Sequence, residues 1–307
     1  MANTTAGRTP GSQAKQVRKH TLRLAILCLL ATTLPPHAKA QSPTIPNPFF
    51  AFEDGFGTQT PDQKAALAEK IGFDGVSFDG AKLIPERLKA VADHNLTLPF
   101  LYLGAELTGP QIVYEPKMEE AIAALKGRNT IIWLTLRGHG PNADPNAIAA
   151  VRHVSDLAAQ SGLRVALYPH FGLYVQTIQD ALRIALAGHR SNLGITFNLC
   201  HELRSGTPAQ VAASLDTILD QHLSLLYAVS INGADPNPAA GWPALIQPLD
   251  RGSYNVAALI HTLVAKGYRG PIGLQSYAIP GDPETNLTRS MAAWRRITEQ
   301  TVSTHAP

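Results

Sequence analysis

The stretch LGITFNLCHEL, residues 193–203, opens as a short apolar run without polar alternation and then places Asn198, Cys200 and His201 close together. A strand with no alternation is covered on both faces, the situation of strands in parallel sheets. Its polar end therefore belongs where the cover stops.

The same pattern recurs along the chain. Candidate strands are FFAF (49–52), GVSF (75–78), LPFLYL (98–103), TIIWLTL (130–136), RVALY (164–168), LGITF (193–197), LLYAVSI (225–231) and IGLQ (272–275). Between them, PDQKAALAEKIG (61–72), DPNAIAAVRHVSDLAAQSG (144–162) and VQTIQDALRIALAG (175–188) carry apolar residues at helical spacing. Gly72, Gly162 and Gly188 stand where such helices stop, because glycine enters the left-handed region without a Cβ clash. Strand and helix in eightfold alternation predict an α/β protein, a closed (β/α)8 TIM barrel forming one domain over residues 41–307. The alternative, an open doubly wound sheet, would more often carry a glycine-rich phosphate turn after its first strand, and FEDGFG (52–57) is not one.

Residues 1–40 read as a signal peptide. Arg18, Lys19 and Arg23 precede the apolar run Leu24 to Leu34, and Ala38-Lys39-Ala40 has the small-x-small cleavage pattern. The run is about half of the roughly 20 residues that a membrane span needs, so no stable anchor is expected after cleavage. The expected location is periplasmic or secreted. The leader holds six of the 26 Lys and Arg residues and none of the 23 Asp and Glu, so the mature chain has a net charge of −3. That balance gives no reason to expect a nucleic-acid partner. Cys200 is the only cysteine beyond the leader, which rules out an intramolecular disulfide in the mature chain.

In such a barrel the chemistry collects where strands end. Just past the candidate strands stand Glu53 and Asp54, Asp79, Glu106, Arg137 and His139, Tyr168 and His170, Asn198 and His201, Asn232 and Asp235, then Gln275 and Tyr277. LGITF is thus a sixth strand, and NLCH the turn that delivers Asn198 and His201 to the barrel mouth. His170 and His201 suit general acid–base work, because an unperturbed imidazole titrates near neutrality. Arg137 can clamp an anionic or hydroxylated group, with Glu106 as a reserve base or as its salt-bridge partner. His139 lies between two glycines that allow close backbone approach. Asn198, Asn232 and Gln275 can bond hydroxyls, while Tyr168, Tyr277, Trp242 and Phe171 offer flat faces to a sugar's CH surface. Cys200 reads as a packed small apolar residue, since a reactive thiolate needs a nearby base. Residues 233–252 form one long irregular loop, either a wall of the site or a surface insertion.

GFDGVSF (72–78), GLRVALYPHFG (162–172), NLGITFNLCHEL (192–203) and GYRGPIGLQSY (267–277), taken in order, resemble the sugar phosphate isomerase/epimerase family of xylose-isomerase-like barrels. The resemblance implies a divalent ion held by Glu, Asp, His and Glu at the ends of strands five to eight. Those positions fall here on Tyr168, Asn198, Ser230 or Asn232, and Gln275, none of them anionic. A softer or weaker site for zinc or manganese, built from the two histidines with Asn198 and Gln275, stays open as an expectation. The resemblance further implies a small-molecule carbohydrate partner and an isomerase, epimerase or lyase working by proton transfer next to a sugar carbonyl. The alternative is a barrel that has lost catalysis and binds carbohydrate or a protein. The oligomeric state is not legible.

Overall fold

The computed structural model describes residues 45–108, 111–139 and 143–303; the leader expected at 1–40 lies outside them. Eight parallel strands form the barrel: β1 (Phe49–Phe52), β2 (Gly75–Asp79), β3 (Phe100–Glu106), β4 (Ile131–Arg137), β5 (Arg164–Leu167), β6 (Leu193–Asn198), β7 (Leu226–Ile231) and β8 (Ile272–Leu274). Each pairs with its neighbours in chain order, and β1 with β8 closes the ring. All eight predicted strands are present. β3 runs further than expected, because Leu103 to Glu106 stays paired with β4 and also receives the two-residue antiparallel strand Val113–Tyr114.

The longer helices of the outer layer are α1 (Pro61–Ile71), α2 (Ile84–Asp93), α4 (Ala143–Gln160), α5 (Ile178–Gly188), α7 (Pro208–Gln221), α9 (Val256–Ala265) and α10 (Pro283–Ser303). Shorter ones are α3 (Met118–Ala124), α6 (Leu199–Ser205) and α8 (Trp242–Leu245). No helix among the described residues is long and apolar enough to cross a membrane. Capping boxes start α1 at Thr60–Gln63, α5 at Thr177–Asp180 and α7 at Thr207–Gln210, each satisfying amides that the first turn leaves without partners. The box at Thr177 explains why α5 begins three residues later than its apolar spacing suggests. Gly72 and Gly162 take positive φ at helix ends, as expected. Gly188 does not: it is the last helical residue, and His189 takes the left-handed position. Gly188 is needed for space, because a Cβ there would meet Leu193 and Val151 at 2.8 and 2.9 Å.

Strand alternation divides the apolar residues between two regions. Outward residues such as Leu101, Leu134, Val165 and Phe197 pack under the helices, while Phe50, Phe52, Phe100, Trp133, Ala166 and Tyr168 fill the lumen. Trp133 stacks on Phe100 at 4.0 Å and touches Tyr168 at 4.8 Å between ring centres. The large rings come from β1, β3, β4 and the end of β5, so the strands opposite must be small. Gly273 on β8 is one such position, where a Cβ would lie 2.3 Å from the Phe50 ring.

A buried carboxyl ties the outer layer together near the mouth. Glu202 on α6 accepts a 2.6 Å hydrogen bond from the amide of Ile178, the first residue of α5. Burial pushes its pKa up to about 8 against the lowering effect of that amide, and Asp180 adds like-charge repulsion.

Two outcomes follow from this packing. Gly273→Ala overpacks the lumen and lowers the unfolding free energy by about 1–3 kcal/mol, read from the denaturant midpoint. For Glu202, the folded state keeps a proton that the unfolded chain releases near pH 4.5, so stability declines as pH rises from there to about 8 and then levels. Glu202→Gln removes that slope in midpoints measured across the same window.

Candidate active site

The C-terminal ends of the strands enclose a cavity of about 430 Å3. Its floor is the top of the aromatic plug, Phe52, Tyr102, Trp133 and Tyr168; one wall carries His170, His201 and Trp242, another Glu53, Asp54 and Asp79. Arg137, Gln275 and Tyr277 complete the lining among the residues expected from sequence. A second hollow, of about 1170 Å3 around Asp74, Arg164 and Trp294, opens at the other end of the barrel, away from both histidines.

The two imidazoles stand face to face, ring centres 4.0 Å apart and planes 37° from parallel. The backbone of one residue, Phe171, sets both protonation patterns. His170 Nδ1 lies 2.9 Å from the carbonyl oxygen of Phe171, which can only accept, so Nδ1 carries the proton and Nε2 the lone pair. The amide of Phe171 donates to His201 Nδ1 at 3.2 Å, so the proton of His201 sits on Nε2. Burial pushes both pKa values down, that of His201 far below the usual imidazole range; the Arg137 charge adds to the effect on His170, and a proton on His170 would add to it on His201. Both rings are therefore neutral at pH 7, one offering a base and the other a donor.

The residues around the pair hold it in place. Trp242 meets the edge of His201 at 5.2 Å and Phe171 at 6.2 Å. Phe171 is covered in turn by the Arg204 guanidinium, 4.9 Å from its ring centre, and Arg204 also donates to the carbonyl of Pro238. The loop after β7 is thus a wall of the site, supplying Trp242 and Ile246. Asn232 is buried and does not reach the cavity; its amide nitrogen donates to the carbonyls of Leu245 at 2.6 Å and Gly233 at 3.0 Å, which fixes that wall. Asp235 likewise accepts from Gln247 and Ser253 within the loop.

Asn198 also departs from its expected place. It is 0% exposed and lies beneath the lining, donating to the carbonyl of Pro169 at 3.0 Å and accepting from the Ser230 hydroxyl. Glu106 turns away to the amide and hydroxyl of Thr108, which hold its carboxyl below the usual range. It is not placed to act as a base in the cavity. His139 is exposed and outside the lining, beyond the turn at Gly138. Cys200 is fully buried and its thiol is pushed up to about 12, as befits a packed residue.

The positions that correspond to the family's metal ligands form a neutral network. The Tyr168 hydroxyl lies close enough to the amide side chains of Asn198 and Gln275 for them to favour its ionised form, but burial wins and holds its pKa well above the ordinary phenol value. Asn198 accepts from Ser230, and Gln275 accepts from the amide of Tyr277 at 2.9 Å. Among the described residues, no group of three or more His, Cys, Asp or Glu side chains is placed to hold an ion. A hard divalent cation draws its affinity from anionic oxygen, and these donors supply none and are already bonded to one another. The donor set does not fit the family's metal.

Sequence reasoning found the strand-end positions of Glu53, Asp54 and Asp79 but assigned them no role. Their arrangement depends on cations from the helix layer. Lys64 of α1 pairs with Glu53 at 2.6 Å and Arg87 of α2 at 3.2 Å, while Arg87 also donates to the carbonyls of Gly80 and Asp79. Asp54 and Asp79 have no such partner among the described residues. Burial raises the pKa of Asp79 to about 6, with Asp54, Glu53 and Glu115 adding repulsion and Arg87 opposing it. Trp133 is 1% exposed, and its indole N–H has no acceptor among the described residues.

Comparisons with known proteins agree with this architecture. No curated protein matches the chain in sequence. The 3-keto-D-glucoside 4-epimerase of E. coli superposes with a TM-score of 0.65 at 18% identity, covering 81% of this chain and 99% of its own. The D-allulose 3-epimerase of a Methylomonas species gives 0.63 at 15% identity, with 83% and 99% covered. IOLI protein, solved with a zinc atom bound, gives 0.62 at 15% identity, with 84% and 99% covered. At these identities the likeness is one of fold. The model of the xylose isomerase-like TIM barrels matches residues 65–297, and the chain belongs to that family.

Proposed function

We propose that the protein is an exported carbohydrate isomerase, epimerase or lyase that moves a proton at the carbon next to a sugar carbonyl, with its histidine pair in place of a metal. The observation that carries this reading is the complementary protonation of the two stacked rings. His170 Nε2 offers the base, and His201 Nε2–H faces the same cavity as a donor to the oxygen on which charge develops. Arg137, which lines the cavity free of any ion pair among the described residues, is a second donor there. Preorganised donors of this kind contribute about 3–4 kcal/mol each in known oxyanion sites.

The lining favours an uncharged polyhydroxylated substrate. Trp133, Tyr102, Phe52 and Trp242 offer apolar faces for sugar CH groups, and carboxylates of the acidic wall bond hydroxyls well and repel phosphate. Two of the similar structures are epimerases, one of a keto-glucoside and one of a ketose, and their reactions are of this chemical class. Export rests on the leader pattern of residues 1–40.

The test is turnover on a panel of uncharged ketoses and 3-keto-glucosides, beside binding measured on the same compounds. His170→Gln lowers kcat about 10²–10⁴-fold with little change in affinity. Exhaustive chelation leaves turnover of the wild type intact. Because the His170 pKa lies below 6.5, its Nε2 is a free base through neutrality, and activity falls on the acid side of that value as Nε2 takes up a proton. Binding without turnover, indifferent to His170→Gln, identifies a recognition barrel instead.

A further inference from the structure

Resting on the proton-transfer reading above, we infer that Asp79 is a second acid–base group and that it works with His170 on opposite faces of one substrate carbon, so that the reaction inverts that centre.

The ring geometry places the two groups apart. Asp79 ends β2 and His201 follows β6, four strands away in a ring of eight, with His170 beside it after β5. A carbon held between these walls presents one face to each. The aromatic floor keeps a ligand at that level, and the unpartnered indole N–H of Trp133 is a buried donor that calls for a polar ligand atom over the floor.

The surroundings of Asp79 leave it free to carry a proton. Glu53 takes the two nearby cations, Lys64 and Arg87, and also accepts from the Asp79 amide at 2.6 Å. The Asp79 carboxyl itself has no hydrogen bond or ion pair among the described residues. Charged and titratable groups facing it are Asp54 and Glu53 from the end of β1, Glu115 from the segment after Val113–Tyr114, Arg87 from α2 and Tyr102 from β3. Burial, together with acidic neighbours that outnumber Arg87, the one cation acting on Asp79, raises its pKa to about 6, so the carboxyl gains and loses a proton within reach of neutral pH. The histidine wall, buried and beside Arg137, holds its imidazoles neutral.

The step balances. His170 Nε2 takes the proton from the carbon next to the carbonyl; the C–H pair becomes the enediolate double bond and the carbonyl π pair moves to oxygen. Asp79 then gives its proton to the other face of the same carbon, the double-bond pair forms the new C–H bond and the carbonyl returns. His170 is left as imidazolium and Asp79 as carboxylate, and exchange with solvent restores both. In the reverse direction the two exchange roles.

The panel of ketoses and 3-keto-glucosides in D2O tests this. Wild type is expected to give product inverted at one carbon and carrying one solvent deuterium there. Asp79→Asn is expected to wash deuterium into unconverted substrate from the histidine face while product formation falls about 100-fold, and His170→Gln to abolish that wash-in. An Asp79→Asn protein with the parent melting temperature that turns over within about threefold of wild type, or loses wash-in and turnover together, overturns the inference and leaves the proton-transfer reading standing. If Asp79→Asn does not fold, the wild-type product decides, since a product with no inverted carbon, or with an inverted carbon that carries no solvent deuterium, overturns it alone. Wild type that neither labels nor converts any member of the panel overturns the proton-transfer reading and this inference with it.

Discussion

The barrel is plugged from one side of its circumference. Phe50, Phe52, Phe100, Trp133 and Tyr168 come from β1, β3, β4 and the end of β5, and their rings fill the lumen to just below the mouth. Small inward residues on the remaining strands, glycine at 273, serine at 77 and 230 and alanine at 228, leave room for them. The same asymmetry makes the active cavity. Above the plug the small residues leave room, and the uppermost ring, Tyr168, becomes a floor that is aromatic and carries a hydroxyl.

Electrostatics near the plug follow from its dryness. A medium without water penalises every charge, so the phenol of Tyr168 and the imidazoles of His170 and His201 all shift toward their neutral forms. An amide in place of a carboxylate fits such a place, since Asn198 and Gln275 fill the same positions with neutral dipoles beside the phenol and Ser230. Charge instead collects on the β1–β2 side, where α1 and α2 reach inward with Lys64 and Arg87. The site is thus divided into a neutral nitrogen wall and an acidic oxygen wall. Two groups with different environments are what proton removal and proton return require.

The fold was legible because its signals are local: eight apolar runs without alternation, helices between them, and polar residues where each run stops. The histidine pair was legible for the same reason, since two adjacent strand ends each carried an imidazole. What escaped depends on distant contacts. Asn198 and Asn232 look like ligand-binding amides by position, yet partners on other elements, Pro169 and Ser230 for one and Leu245 for the other, turn them into supports. Glu106 was drawn off by Thr108, two residues along, through a turn that the apolar pattern does not encode. The acidic wall was visible as three residues but not as a unit, because its character comes from how Arg87 and Lys64 divide themselves among the carboxyls. Gly188 was assigned a conformational role when its requirement is steric, a distinction that only the neighbouring Val151 and Leu193 reveal.

The least legible element is also the one that assigns the roles. Phe171 makes these two bonds through its backbone amide and carbonyl, not its ring, so they do not depend on the identity of the side chain. Its carbonyl fixes the proton of His170 on Nδ1, and its amide occupies the lone pair of His201 on Nδ1. His201 therefore has no basic nitrogen left to offer and can serve only as a donor, whereas His170 cannot present anything but a base through Nε2. Two chemically identical side chains are made different by the two peptide groups that flank one residue. The ring of Phe171 contributes by keeping that backbone still, wedged between Trp242 and the Arg204 guanidinium. A mobile loop would let the imidazoles exchange tautomers and lose the distinction, which is why the wall after β7 is tied down by Asn232, Asp235 and Arg204 rather than left free to move.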